Sequence, residues 1–202
     1  MPYSDFTLDS LRRSFGLTQM REPLFADVVP LNPTPWLLET LALSQQLIID
    51  SEKARGELMV MPILLTARHL THNRFAIYSG HSLTVDKDKG LLGECDFILT
   101  YTAPLPALQS PIVTMVEAKK DNLEGGVGQC AAQMLGARLF NQRDNNGIET
   151  IFGCVTTGEV WQFLKLEGQT IYVDQSHYYI NQLAEILGIF KFIADKYSVS
   201  VT

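Results

Sequence analysis

Two apolar, strand-like stretches of this chain carry charges where core strands normally have none. The first reads LLGECDFILT over 91–100 and holds Glu94 and Asp96; the second reads PIVTMVEAKK over 111–120 and holds Glu117 and Lys119. A charge withdrawn from water is costly unless it is paired, hydrated or bound to a metal ion. These four residues therefore mark a candidate site. In a strand, residues two apart share a face, so Glu117 and Lys119 point one way and Ala118 the other. Asp96 on a neighbouring strand can present its carboxylate beside Glu117. A solvated face at a sheet edge would show the same alternation, and Asp96 could equally accept backbone hydrogen bonds beside a turn. Glu94 lies nearer the preceding glycine turn and is expected at the surface.

The rest of the composition describes an ordinary globular domain. With 202 residues, 46% of them hydrophobic, the chain has the apolar material for one sizeable core. Its longest apolar run, 58–65, falls well short of the ~20 residues that cross a bilayer. The opening MPYSDFTLDSLRR has no basic region followed by an apolar stretch, so no secretory signal is expected. Cys95, Cys130 and Cys154 are odd in number and lack CxxC spacing, which suits reduced thiols packed in the core of a cytoplasmic protein. The net charge of −6 works against binding phosphates, although carboxylates gathered around a metal ion would account for part of it.

In chain order, residues 1–50 predict a short amphipathic helix over 5–15 and a Pro-rich strap over 21–35 that keeps Leu24, Phe25, Val28 and Val29 for burial. Thr34 and Pro35 then supply an N-cap and a first-turn proline for a helix over 36–48. Ser51 opens a second helical pattern, which Pro62 should kink or break. Strands follow over 74–85, bent at Gly80, then over 91–101 and 112–119. A helix is expected over 126–140, with a strand over 151–156. Residues 157–202 read as a hairpin (160–166 with 170–173) and an amphipathic helix over 180–197. The whole is one domain, with 51–156 as its core.

Chance alone supplies about one acid-x-Lys tripeptide in a chain with 22 acids, so Glu117-Ala118-Lys119 gains weight only from its setting. The setting is helix, strand, strand, strand, helix, strand, with Asp96 on the second strand and Glu117 and Lys119 on the third. Asp96 followed by Glu117-x-Lys119 in this order resembles the PD-(D/E)XK nuclease superfamily, whose restriction-endonuclease-like fold has an αβββαβ core with a mixed central sheet flanked by helices. The segments "EKARGEL", "GLLGECDFIL", "VEAKK" and "GVGQCAAQMLGARLF" look like an uncharacterised, cyanobacterial-type branch of it.

That resemblance implies hydrolysis of nucleic acid, DNA ahead of RNA, with Mg²⁺ as cofactor and Mn²⁺ as substitute. Asp96, Glu117 and the carbonyl of Ala118 would hold the ion, since Mg²⁺ prefers hard oxygen ligands. Lys119 would orient the attacking water. Glu57, in preference to Glu52, matches the helix acid of the family and would support a second ion or hold a water. Gln129 occupies the place of the first residue in a Gln-x-x-x-Tyr motif; Gln133 stands where Tyr is expected. Gln129 and Gln133, four apart, share a helical face and would otherwise be polar residues at a solvent boundary. A homodimer is compatible with the family. The alternative function is a catalytically inactive descendant that keeps the fold as a binding or assembly module.

Other motifs carry less. Gly125-Gly126-Val127-Gly128 is expected just before a helix, as a phosphate-binding turn or a flexible one. Gly126-x-Gly128-x-x-Ala131 formally matches a dinucleotide fingerprint, but it does not follow its strand directly, and no acid closes the next strand. His69 and His72 could share a helical face with no third ligand near. Arg55, Arg68, Arg74, Lys120, Arg138 and Arg143 are the candidate phosphate contacts.

Overall fold

The computed structural model describes residues 2–197. Helix α1 (Leu8–Phe15) opens with a capping box: Ser10 N–H donates to the Thr7 hydroxyl at 3.1 Å, and Thr7 N–H donates to the Ser10 hydroxyl at 2.9 Å. Gly16, at φ +69°, ends it. Strand β1 (Thr18–Glu22) follows, then the proline-rich strap. Helix α2 (Pro35–Ser44) starts as expected, with the Thr34 hydroxyl accepting from Leu37 N–H, but it stops short of residue 48.

Ser51 caps α3 (Glu52–Arg55), which runs without a break through a π-helical turn (Gly56–Val60) into α4 (Met61–Leu70). Pro62 has no N–H to return to the carbonyl four residues back. The turn before it is wide, and Met61 N–H reaches Gly56 O. The disturbance expected at Pro62 thus takes the form of a widened turn, which brings buried Gly56 against the Phe97 ring.

The sheet begins with β2 (Ala76–Asp86), β3 (Leu91–Thr100) and β4 (Ile112–Ala118), continues after helix α5 (Leu123–Arg143) with β5 (Ile151–Thr156), β6 (Val160–Glu167), β7 (Thr170–Asp174) and β8 (Tyr178–Tyr179), and is followed by α6 (Leu183–Tyr197). Its order is β1-β7-β6-β5-β4-β3-β2, with β8 on β6. The β4–β5 and β1–β7 pairs are parallel and the others antiparallel. The protein is α/β: a mixed eight-stranded sheet with helices on both faces. Strand β1 was not expected from its TQMRE sequence, which lacks any apolar alternation.

Alternation along β5 shows how the two faces are covered. A Cβ on Gly153 would meet Met134 and Cys130 of α5, whereas the residue before it, Phe152, sets its ring against Tyr197 of α6. On the α6 side, Phe25 from the strap packs against Phe152 and Phe163, and Phe190 packs against Trp161 and Phe163. The strap crosses α6 so closely that a Cβ on Gly188 would sit 2.5 Å from Val29 O. Val29 itself turns outward, contrary to expectation.

Two further expectations change. The helix expected over 126–140 starts earlier, at Leu123, so Gly125, Gly126 and Gly128 all lie inside its first turns and form no turn before it; Asn122 caps it by accepting from Gly125 N–H at 3.0 Å. A Cβ on Gly126 would meet Val155 Cγ1 at 2.5 Å, so the glycine serves a close helix-to-sheet approach. His72 lies past the end of α4 with φ +56° and shares no helical face with His69. The three cysteines are buried and unpaired. Among the described residues, no helix is long and apolar enough to cross a membrane.

Candidate active site

The antiparallel ladder between β3 and β4 runs from Thr100↔Ile112 to Phe97↔Val116. Past that point, Ala118 N–H donates to Asp96 Oδ2 at 2.7 Å in place of a backbone carbonyl. Across β2–β3, Gly80 lies opposite Asp96, between the pairs Ser79↔Phe97 and His81↔Cys95. Gly80 has φ +60°, a conformation that favours glycine, and a Cβ there would stand 3.6 Å from Glu94 Oε1.

Glu117, the last residue but one of β4, has 2% of its surface exposed and is held from three directions. Its Oε1 accepts from Lys119 Nζ at 2.8 Å and from Gln129 Nε2 at 2.6 Å; its Oε2 accepts from Gln133 Nε2 at 2.7 Å. Lys119 also donates to Gln129 Oε1 at 3.0 Å, closing a triangle. Asp96, Glu117, Lys119 and Gln129 are thus brought together. Gln133, outside the expected catalytic set, joins them from one helical turn beyond Gln129, and its own Oε1 is buried without a hydrogen-bond partner among the described residues. The i, i+4 spacing from Gln129 is the signal that pointed to it.

The helix acids are placed less as expected. Glu52 Oε1 lies 3.9 Å from Lys119 Nζ, while Glu57 sits at the rim, 3.9 Å from Lys53 and largely solvated. Both acids, with Glu94, Asp96, Ala118 and Gly80, line a groove of about 450 Å³. Among the described residues, no three His, Cys, Asp or Glu side chains are gathered as a ready metal cage.

The electrostatics follow from burial. Burial raises the Asp96 pKa, against the pull of Ala118 N–H and Lys119. Burial, then the charge of Asp96, pushes Glu117 up to about 7, while Lys119 and Gln133 pull it down. Burial works against the Lys119 ammonium, but Glu117, Glu52 and Asp96 outweigh it and raise its pKa. Because folded Glu117 binds its proton more tightly than the unfolded chain does, its contribution to stability is fullest below about 4.5 and is lost as pH rises through about 7. In metal-free buffer the urea midpoint of the wild type should therefore fall across this window relative to Glu117→Gln. Parallel curves for the two proteins would contradict the placement.

Five of the six candidate phosphate contacts are engaged elsewhere. Arg55 donates to Thr157 O, Arg68 to Phe75 O, Arg138 to Gly168 O and Arg143 to Val85 O, and Arg74 pairs with Asp195. No family model and no curated protein sequence matches the chain.

Proposed function

We propose that this protein is a metal-dependent nuclease of the PD-(D/E)XK, restriction-endonuclease-like kind, hydrolysing phosphodiester bonds of nucleic acid. One observation carries the proposal: half-buried Asp96 and buried Glu117, on adjacent strands, both have raised pKa values, through burial and, for Glu117, also through the charge of Asp96, where Lys119 is the cation hydrogen-bonded to Glu117 and Gln129. A neighbouring like charge disfavours the ionised carboxylate, so a proton or a bound cation relieves it. The order helix, three antiparallel strands, helix, parallel strand over residues 52–156 supports the same class.

The donor set fits Mg²⁺, which takes one or two carboxylates and keeps several waters. Asp96, Glu117 and the Ala118 carbonyl would hold it, with Glu52 or Glu57 near enough to the groove to hold an outer water. When bound, such an ion polarises a phosphoryl oxygen and lowers the pKa of its water. Lys119, fixed by Glu117 and Gln129, would orient the attacking water and donate to the phosphate oxygen on which charge develops. Gln129 and Gln133 keep Glu117 from rotating away. The acids at the rim repel a bare phosphate, so Lys53 and the ion would set how a strand enters.

A second proposal is a non-catalytic binding module. The net charge of −6 and the structural use of five cations favour it. Titration calorimetry with Mg²⁺ and Mn²⁺ separates the two. Saturable binding in the wild type that Asp96→Ala abolishes, with cleavage of single- or double-stranded DNA or RNA, is expected of the enzyme; no metal affinity in either protein would select the module.

A further inference from the structure

A cavity of about 490 Å³ opens between α1, β1, β6, β7 and the start of α5. Its size falls within the range of small-ligand sites. It lies on the face of the sheet that carries Glu117. In register, Glu117 pairs with Val155 and Val155 with Gln162, which lines the cavity. Strands sit ~4.8 Å apart, so Gln162 lies about 10 Å along the sheet from Glu117.

Gln162 is the feature that asks for a ligand. It is 4% exposed, on a strand whose neighbours Trp161, Phe163 and Leu164 are apolar core. Among the described residues its Nε2 donates to Asp174 O at 2.9 Å, and its carbonyl oxygen, which is not sealed from solvent, is left free to accept from an occupant of the cavity. Leu8, Val127 and Val173 supply apolar walls beside it, Gln19 adds a second amide, and Arg21 and His177 stand at the rim with Glu124 opposite.

We propose that this cavity seats one nucleoside unit of a single-stranded nucleic acid, flanking the bond that is cut. The inference rests on the nuclease reading for its orientation and on the cavity for its chemistry. Apolar walls accept the two faces of a base, and glutamine amides match the donor and acceptor pattern of a base edge. Arg21, part of the cavity's lining, would meet the attached phosphate. A base seated there has to leave its stack, as bases do in loops and single strands.

The test is binding of adenosine and uridine 5′-monophosphates in EDTA, where no metal-dependent turnover occurs, followed by calorimetry. The wild type and Lys89→Ala, changed on the exposed turn between β2 and β3, should bind alike. Gln162→Leu should weaken binding about tenfold, the usual loss for one hydrogen bond. Val127→Trp should abolish it by filling the cavity, and Arg21→Glu, on an exposed strand position where folding is not at stake, should weaken it for the phosphate-bearing ligands. No saturable binding by the wild type, or equal affinity in the three cavity variants, overturns the inference. Nucleotide binding without any metal-dependent cleavage would leave the cavity assignment standing and remove the hydrolase. Cleavage without nucleotide binding would do the reverse.

Discussion

Lys119→Ala is expected to lower metal-dependent cleavage by roughly 10²–10³-fold, the usual loss when one preorganised donor to developing charge is removed, while leaving the divalent-metal affinity measurable. The expectation follows from how the ammonium is held. Its side chain is 17% exposed, it donates to Glu117 and Gln129, and it lies 3.9 Å from Glu52. Its stem passes under the start of α5, where a Cβ on Gly126 would lie 3.1 Å from Lys119 Cγ. The substitution removes a cation from among three carboxylates, so the Glu117 pKa should climb further and the optimum of any residual activity should shift upward. Lys119→Arg should not restore the rate, because a planar guanidinium differs from an ammonium in shape and reach. Single-turnover rates at saturating Mg²⁺ separate a loss in chemistry from a loss in binding. Cleavage that survives Lys119→Ala undiminished would have to come from another protein in the preparation.

Why Lys119 could be singled out from sequence, and Gln133 only in part, comes down to what burial makes visible. A charge inside an apolar strand stands out in a linear pattern, and strand periodicity then places Glu117 and Lys119 on one side. The partners of that charge do not stand out, since an amide on a helix looks the same whether it faces solvent or a carboxylate. The choice between Glu52 and Glu57 depends on the phase of a helix whose π-helical turn alters the register after Arg55. The glycines at 125, 126 and 128 argue against a helix by intrinsic propensity, each by ~0.8–1.0 kcal/mol relative to alanine. Tertiary contact decides otherwise there. Strand β1 is legible only from the other side: β7 offers an edge, and the polar TQMRE segment completes it in parallel, from Thr18↔Thr170 to Glu22↔Asp174.

Gly128→Ala should be among the most destabilising single-methyl additions in the chain, despite replacing a poor helix former with the best one. Propensity alone predicts a gain of ~0.8–1.0 kcal/mol. The new Cβ, however, would lie 2.3 Å from Phe6 O and 2.6 Å from Thr7 Cα. These are backbone atoms, not the free end of a flexible side chain. Thr7 is the N-cap of α1, and Phe6 is buried with its ring centroid 5.9 Å from that of Phe15, so the segment cannot retreat without loosening its cap and its core contact. Overpacking of this kind costs about 1–3 kcal/mol and a lost cap about 1 kcal/mol more, which outweighs the helical gain. In a domain of this size the net loss of about 2 kcal/mol corresponds to a melting temperature lower by ~4–8 °C. The strain also reaches the site, because Gln129 is the next residue and Gln133 follows one turn later. Gly125→Ala provides the contrast: its Cβ would meet the side chain of Asn122, which can rotate, and a smaller loss is expected. A melting temperature that rises in Gly128→Ala, as propensity alone would have it, would mean that α1 does not pack against α5 in this way. The seating of Glu117 by the two glutamines would then need another explanation.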